Sequence, residues 1–346
     1  MKLGTGDPPP LEGRVYTTGN SFRAKAEAHQ RRWRWAQELQ PGKYGHHLTD
    51  ADARLGRALA LPRIREAVEQ RHRAGKGIDL DRTLGNLLSS QALAFNLFAP
   101  LVPDGRQLAD AAQVLAPFLP GMRTVVGLQL EYTPPNAILG DQSKRGGVDA
   151  DVRIDFRHED GGRGLLLIEV KYAEDAFSVC GYRKPGHVEP CTVPLLIPSG
   201  ANCRYSTRRT PYRYWERAID LQVVKRESVI GLRCPFSGPL WQPWVHVTLA
   251  HGLAHHEGQQ AEAEPFAHVW YAVLAPAANR EVLEHDGMSV LDALRALLVD
   301  PQHVHHLDLD ALVDSLQTPD RLGAADDQRA RWATFLRDRY RTPAPG

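Results

Sequence analysis

A chain of 346 residues that is 42% hydrophobic with a formal net charge of +1 is long enough for a sizeable core, in one large domain or two. The opening MKLGTGDPPP has a lysine with no apolar stretch behind it, and no apolar run approaches membrane-spanning length, so the expectation is a soluble, cytoplasmic protein with no membrane partner. Four cysteines are too few for a disulfide scaffold. Cys180, Cys191 and Cys203 lie close together with His187 between the first two, but no C-x-x-C pair occurs, so reduced thiols are the primary reading and a zinc knuckle the competing one.

The charge is unevenly spread. From Arg23 to Lys76 there are 13 Lys/Arg against 6 Asp/Glu, whereas Glu281 to Asp327 is strongly acidic. A second basic block, RYSTRRTPYRYWERAIDLQVVKRESVIGLR from Arg204 to Arg233, interleaves Tyr205, Tyr212, Tyr214 and Trp215 with arginines. Basic faces follow phosphate backbones and aromatics stack on bases, which makes Arg208, Arg209 and Arg213 candidate nucleic-acid contacts. The alternative is a solvated basic face with its aromatics in the core.

In chain order, the first elements are helical. SFRAKAEAHQRRWRWAQEL and DADARLGRALALPRIREAVEQRHR carry helix formers, the second capped by Thr49 or Asp50 and bent at Pro62. DRTLGNLLSSQALAFNLFAPL places Leu84, Leu88, Gln91, Phe95 and Phe98 at helical spacing, with a polar stripe of Asn86, Ser89, Ser90 and Asn96. A short helix is expected around Gln107 to Phe118. Strands follow at TVVGLQLEY, GVDADVRIDF and GLLLIEVKY, then a helix from Tyr214 to Ser228, further strands at WVHVTLAH and AHVWYAVLAP, and helices to the end. The paired histidines at His255–His256 and the HVHH run at His303 to His306 sit in no H-E-x-x-H frame and read as loop residues.

The chemistry gathers on the second and third strands. Alternation in VDADVRIDF puts Val148, Ala150, Val152, Ile154 and Phe156 on one face and Asp149, Asp151, Arg153 and Asp155 on the other, and three acids on one strand face are not a packing solution. The Asp-Gly-Gly of HEDGGRG is a hairpin signal. A turn centred near Asp160 sets Asp149 opposite Lys171 and Asp151 opposite Glu169, so the charged sides of the two strands coincide. Carboxylates and a lysine converging on a buried strand cost desolvation energy unless something compensates. A Mg²⁺ ion compensates: Asp149, Glu169 and the backbone carbonyl of Val170 offer hard oxygen ligands, and Lys171 can orient an attacking water. A cross-strand ion pair between Lys171 and Asp149 accounts for the same pattern without a metal.

Asp149 followed by Glu169-Val170-Lys171 resembles the D…E-x-K signature of the PD-(D/E)xK nuclease superfamily. LLSSQALAFNLFAPL, IEVKYAED and WATFLRDRY resemble a bacterial branch of it described as restriction endonucleases, over roughly Leu84 to Tyr340. The resemblance implies an α/β fold with a mixed sheet flanked by helices, and Mg²⁺-dependent phosphodiester hydrolysis, with Mn²⁺ as a substitute ion and DNA as the substrate. It makes Asp149 and Glu169 metal ligands and Lys171 the water-positioning lysine. No Pro precedes Asp149, so Asp151 is an alternative ligand. Glu131 and Glu174 are further acids within reach in sequence, and Gln222 resembles a helical glutamine found beside the sheet in some relatives.

The expected organisation is a basic helical extension over residues 1–80, the nuclease-like core over 81–280 and an acidic helical region over 281–346 packed on that core. No G-x-x-x-x-G-K-[ST] loop and no G-x-S-x-G elbow occurs, which removes the usual signatures of ATP use and of an esterase. A binding module that kept this fold without turnover is the competing function. Oligomeric state leaves no trace in the sequence.

Overall fold

The computed structural model describes residues 13–19, 21–75, 77–104, 107–140, 148–181, 194, 203, 212–316 and 327–341. Strand signals produce a five-stranded mixed sheet. β1 (Met122–Tyr132), β2 (Ala150–His158) and β3 (Arg163–Val170) form an antiparallel meander. β4 (Phe266–Ala275) then pairs parallel to β3, and β7 (Val304–Asp308) pairs parallel to β4. The spatial order is β1-β2-β3-β4-β7, and β5 (Glu284–His285) with β6 (Met288–Ser289) makes a separate ribbon.

β3 is central, and its sequence says why: Leu165, Leu166, Leu167 and Ile168 are all 0% exposed, each contributing about 1.5–3 kcal/mol of apolar burial. One sheet face, with Val152, Ile154, Phe156, Leu166 and Ile168, packs on α5 (Ser90–Phe98) and α12 (Asp327–Tyr340). The other, with Leu165, Leu167, Tyr271 and Val273, packs on α7 (Tyr214–Asp220) and α8 (Trp241–Gly258). The hairpin register follows the expected parity, with Val152 opposite Ile168 and Arg153 opposite Leu167. Gly164 faces Phe156 at a point where a Cβ would lie 2.2 Å from the ring, so only glycine lets that ring lie flat on β3.

The N-terminal helices are α1 (Phe22–Ala36), α2 (Asp50–Arg54), α3 (Pro62–Arg73), α4 (Leu80–Gly85) and α6 (Ala111–Leu115), besides α5. Thr49 caps α2, and the chain re-enters helix at Pro62, so the expected bent helix is two helices. DRTLGNLLSSQALAFNLFAPL also divides: Ser89 caps α5 through the Ala92 N–H after a break at Asn86. The polar stripe there is buried rather than solvated. Asn96 takes the Ala60 N–H at 2.8 Å and gives hydrogen bonds to the Ala58 carbonyl and the Tyr340 hydroxyl, while its own carbonyl accepts from Trp332. Gln30 of α1 bonds Tyr172 and the Arg339 carbonyl, tying both ends of the chain to the residue after Lys171.

Three expectations need correction. WVHVTLAH is not a strand but the middle of α8, an 18-residue helix with almost every residue from Pro243 to Ala254 buried. A helix hydrophobic on all sides shows no 3.6-residue periodicity, and its Val and Thr mimic a strand. The helix expected from Tyr214 to Ser228 stops at Asp220, with only a 3₁₀ turn at Arg226–Ser228. His305 and His306 belong to β7, and His255 and His256 to the last turn of α8, rather than to loops. β7 is succeeded by α11 (Leu309–Ser315) and preceded by α9 (Arg280–Leu283) and α10 (Val290–Leu297), so the acidic region contributes a strand to the sheet. No helix among the described residues is long and apolar enough to cross a membrane.

Candidate active site

β2 and β3 separate after the Val152–Ile168 pair, and the acids cluster at that split. Asp151 fills the gap: its Oδ2 accepts the Val170 N–H at 2.7 Å, a donor that would otherwise face a missing ladder partner. Asp149 and Lys171 do not lie within the strands, because β2 begins at Ala150 and β3 ends at Val170. Val148 and Ala150 also pack with the α8-side core whereas Val152 packs with the α5-side core, so the expected single face from Val148 to Phe156 breaks at Asp151. Asp149 is exposed in consequence, its Oδ2 near Gly77. Asp155, the third acid of the strand, is explained structurally: it pairs with Arg153 at 3.0 Å, and Arg153 also makes a two-pronged contact with Glu257 of α8.

Glu169 is 4% exposed and heavily partnered. Lys171 Nζ is 2.9 Å from Oε1, Gln242 Nε2 donates to Oε1 at 2.6 Å, and His246 Nδ1 lies 3.0 Å from Oε2. Burial alone would raise this carboxyl; Lys171 and then His246 outweigh it and hold it at about 2. Lys171 is the mirror case. Burial works against its charge, but Glu169, Glu174 and Asp151 raise its pKa above the ordinary value, so it stays an ammonium.

Asp151 and Glu131 carry the opposite shift. Burial, then the charges of Glu169 and Glu131, push Asp151 well above the ordinary carboxylate range. Glu131 is raised to about 7, by burial first and by Asp149 and Glu169 against the hydrogen bond from Gln91. Its backbone has φ 50°, a left-handed conformation costing a non-glycine residue on the order of 1–3 kcal/mol, and Arg71 donates to its carbonyl. Its buried Oε1 has no hydrogen-bond partner among the described residues. The Tyr271 hydroxyl of β4, also buried and without a partner among the described residues, is raised well above the ordinary phenol value by burial and then by the charges of Glu169 and Asp151.

Hard oxygen donors stand at this end of the hairpin, although among the described residues no three of its carboxylates bring ligand atoms within 4.8 Å of one another. A divalent cation there would draw oxygens from Asp151, Glu131 and Glu169, with the exposed Asp149 and the Val170 carbonyl as further donors, and the carboxylates would have to close around it. Glu169 uses three of about four lone-pair directions in its present contacts, which leaves room for one metal bond.

The remaining sequence candidates are placed differently. Glu174 is half-buried and turns back, taking the Tyr172 N–H at 2.7 Å while Arg82 stands 3.7 Å from its other oxygen. Gln222 is exposed, in the left-handed turn after α7; the glutamine that reaches Glu169 is Gln242. Arg208 and Arg209 fall outside the described residues. Arg213 opens α7, its backbone N–H bonded to Leu139 and its side chain laid along Gly140. Tyr214 and Trp215 are core residues, Trp215 packing 4.7 Å from Trp244, so these two are not stacking platforms for bases. Cys180 and Cys203 belong to no metal-ligating group among the described residues, and Cys191 and His187 lie outside them.

Gln242, His246 and Tyr271 were not legible as site residues. Gln242 and His246 are one helical turn apart and meet only on a helix, which the strand-like reading of WVHVTLAH hid. Pro243, in the first turn of α8, was the available signal of a helix start.

No curated protein and no solved structure matches the chain. A family model, that of the PD-(D/E)XK nuclease superfamily, matches residues 17–192, just over half of the chain and the part that carries Glu131, Asp149, Asp151, Glu169 and Lys171. With this match and the mixed sheet that splits at an acid cluster, the chain belongs to the PD-(D/E)XK nuclease superfamily.

Proposed function

We propose that this protein is a Mg²⁺-dependent endonuclease, with Mn²⁺ as an alternative ion, that hydrolyses phosphodiester bonds in DNA in a restriction or defence role in the cytoplasm. The observation that supports the reading is Glu169 paired with Lys171 at 2.9 Å, beside an Asp151 that takes the Val170 N–H at the strand split of a chain in this superfamily. When bound, the divalent cation would offset the clustered negative charge and act as a Lewis acid toward the scissile phosphate. Asp151 and Glu169 would hold it, with Glu131 and the exposed Asp149 as further oxygen donors.

Lys171, paired with Glu169 at 2.9 Å, acts as an ammonium donor. It orients a water by donating a hydrogen bond and stabilises negative charge developing on the phosphate. Gln242 and His246 keep Glu169 ionised and fixed. Arg208, Arg209 and Arg213 lie in the basic stretch suited to the phosphate backbone.

One observation favours a second reading, a nucleic-acid or protein binding module without turnover: Glu169 is already engaged by Lys171, Gln242 and His246. Incubation with supercoiled plasmid separates the two. Nicked or linear product that requires Mg²⁺ or Mn²⁺ and disappears in Glu169→Ala supports the enzyme. No product on DNA or RNA with either ion, together with no metal binding by titration, leaves the binding module.

A further inference from the structure

At the far end of the same hairpin, three side chains that the nuclease reading does not use come together. His158 ends β2, Asp160 sits in the turn and His268 lies in β4. His158 Nδ1 is 3.0 Å from Asp160 Oδ1, and His268 Nε2 is 3.0 Å from Asp160 Oδ2. The imidazole rings stack with centroids 3.9 Å apart at 26°. One potential ligand atom from each residue lies within 4.8 Å of the other two, the only such group among the described residues.

We propose that His158, Asp160 and His268 form a second metal site, for a zinc-class divalent cation, distinct from the acid cluster at the opposite end of the strands. Zinc bonds of about 2.0–2.1 Å in tetrahedral geometry place neighbouring ligand atoms roughly 3.3 Å apart; on the single oxygen Asp160 Oδ1 the two imidazole nitrogens lie at 3.0 and 3.2 Å, and they stand within 4.8 Å of each other. Two nitrogens and one carboxylate oxygen suit zinc rather than Mg²⁺, which prefers oxygen alone. Three protein ligands leave a fourth position, and Asp160, 56% exposed, opens it to water.

The backbone is shaped to let these groups meet. Gly121 passes under His158 where a Cβ would lie 2.0 Å from Nε2, and Nδ1 turns toward Asp160, whose backbone N–H it accepts at 3.4 Å. A Cβ on Gly162 would crowd Asp160 Oδ1 and His268 Nε2 at 3.1 and 3.2 Å. Gly162 instead donates its N–H to Asp160 Oδ1 at 2.8 Å, orienting the carboxylate from behind as the outer contacts of metal ligands do. The indole of Trp270 forms an apolar wall, 5.9 Å from His158 and 6.2 Å from His268 by ring centroids. Two further imidazoles stand against the same ring, His305 at 5.3 Å and His303 at 6.5 Å. A bound ion would clamp the β2–β3 turn to β4 across the intervening strand.

The test is a titration of full-length, chelator-stripped protein with Zn²⁺ by calorimetry and with Co²⁺ by visible spectroscopy. The expected result is one tight equivalent in the wild type and in Glu169→Ala, with a ligand-field spectrum of low coordination number, unaffected by excess Mg²⁺. His268→Ala and Asp160→Asn should lose that equivalent. Asp160→Asn keeps an acceptor for the Gly162 N–H, so loss of metal there is not a folding effect. Failure of the wild type to bind Zn²⁺, or loss of the equivalent in Glu169→Ala rather than in the histidine and aspartate variants, would overturn the proposal.

Discussion

His246 Nδ1 lies 3.0 Å from Glu169 Oε2, in a pocket where both side chains are buried. Its charge is among the causes that keep Glu169 near 2 against burial. Removing a positive partner raises a carboxylate's pKa, so the Glu169 carboxyl should titrate about one unit higher in His246→Ala when followed by NMR. Titrations that superimpose would show that His246 does not set the charge on Glu169.

Glu169 and Lys171 are expected to fail differently. Glu169→Ala removes a ligand and should lower both Mg²⁺ binding and cleavage. Lys171→Ala should leave metal affinity largely intact and reduce cleavage by about 10²–10³-fold, the scale of losing one preorganised donor at a developing anion. Calorimetric Mg²⁺ titration beside single-turnover cleavage resolves the two; near-wild-type cleavage by both variants would remove the site.

Asp149 and Asp151 are separated by one residue and by very different surroundings. Asp151 is packed between Glu131, Glu169 and the Val170 N–H, while Asp149 is exposed at the mouth. Asp151→Asn should therefore weaken metal binding by at least about tenfold, and Asp149→Asn by less. The reverse order would return Asp149 to the position of principal ligand.

The hairpin was legible because its physics is local: the parity of an odd turn at Asp160 and the run Leu165–Ile168 determine which residues meet. The end of the hairpin was not. Where the strands diverge, Asp151 satisfies a backbone donor and the alternation breaks, which periodicity cannot report. The supports of Glu169 were missed for a different reason, since a fully buried helix has no polar face to betray its period. Asn96, one of the polar stripe, and Arg339, in the last helix, are both 0% exposed, because their partners are carbonyls from segments far away in the chain.

The basic block yields a salt-dependence test. Replacing Arg208, Arg209 and Arg213 together should weaken DNA binding on all sequences alike and reduce the slope of log K against log salt by roughly one per lost phosphate contact. An unchanged slope assigns the arginines to solvent.

Acid should destabilise the fold through buried histidines. Burial holds His251 and His305 at about 4 against an ordinary 6.5. Below pH 6.5 the unfolded chain takes up protons that the folded chain refuses, so their stabilisation is complete above 6.5 and is lost as the pH falls toward 4. Each contributes about 2 kcal/mol over that window after allowing for partial exposure. Urea midpoints between pH 7 and 4.5 should fall, and less steeply in His305→Phe; equal slopes would exclude His305 as a source.

β3 is the hinge between the antiparallel and parallel halves of the sheet, and its partner on one side, β4, begins at Phe266, well beyond the end of the family match at residue 192. A fragment cut at that point would keep every acid of the cluster but lose Gln242, His246 and Tyr271. It would also turn the most apolar strand of the protein into an open edge, with Leu165 to Val170 offering unpaired amides to any passing chain. Such a fragment should aggregate on expression, so the later part of the chain protects the solubility of the part that carries the acids.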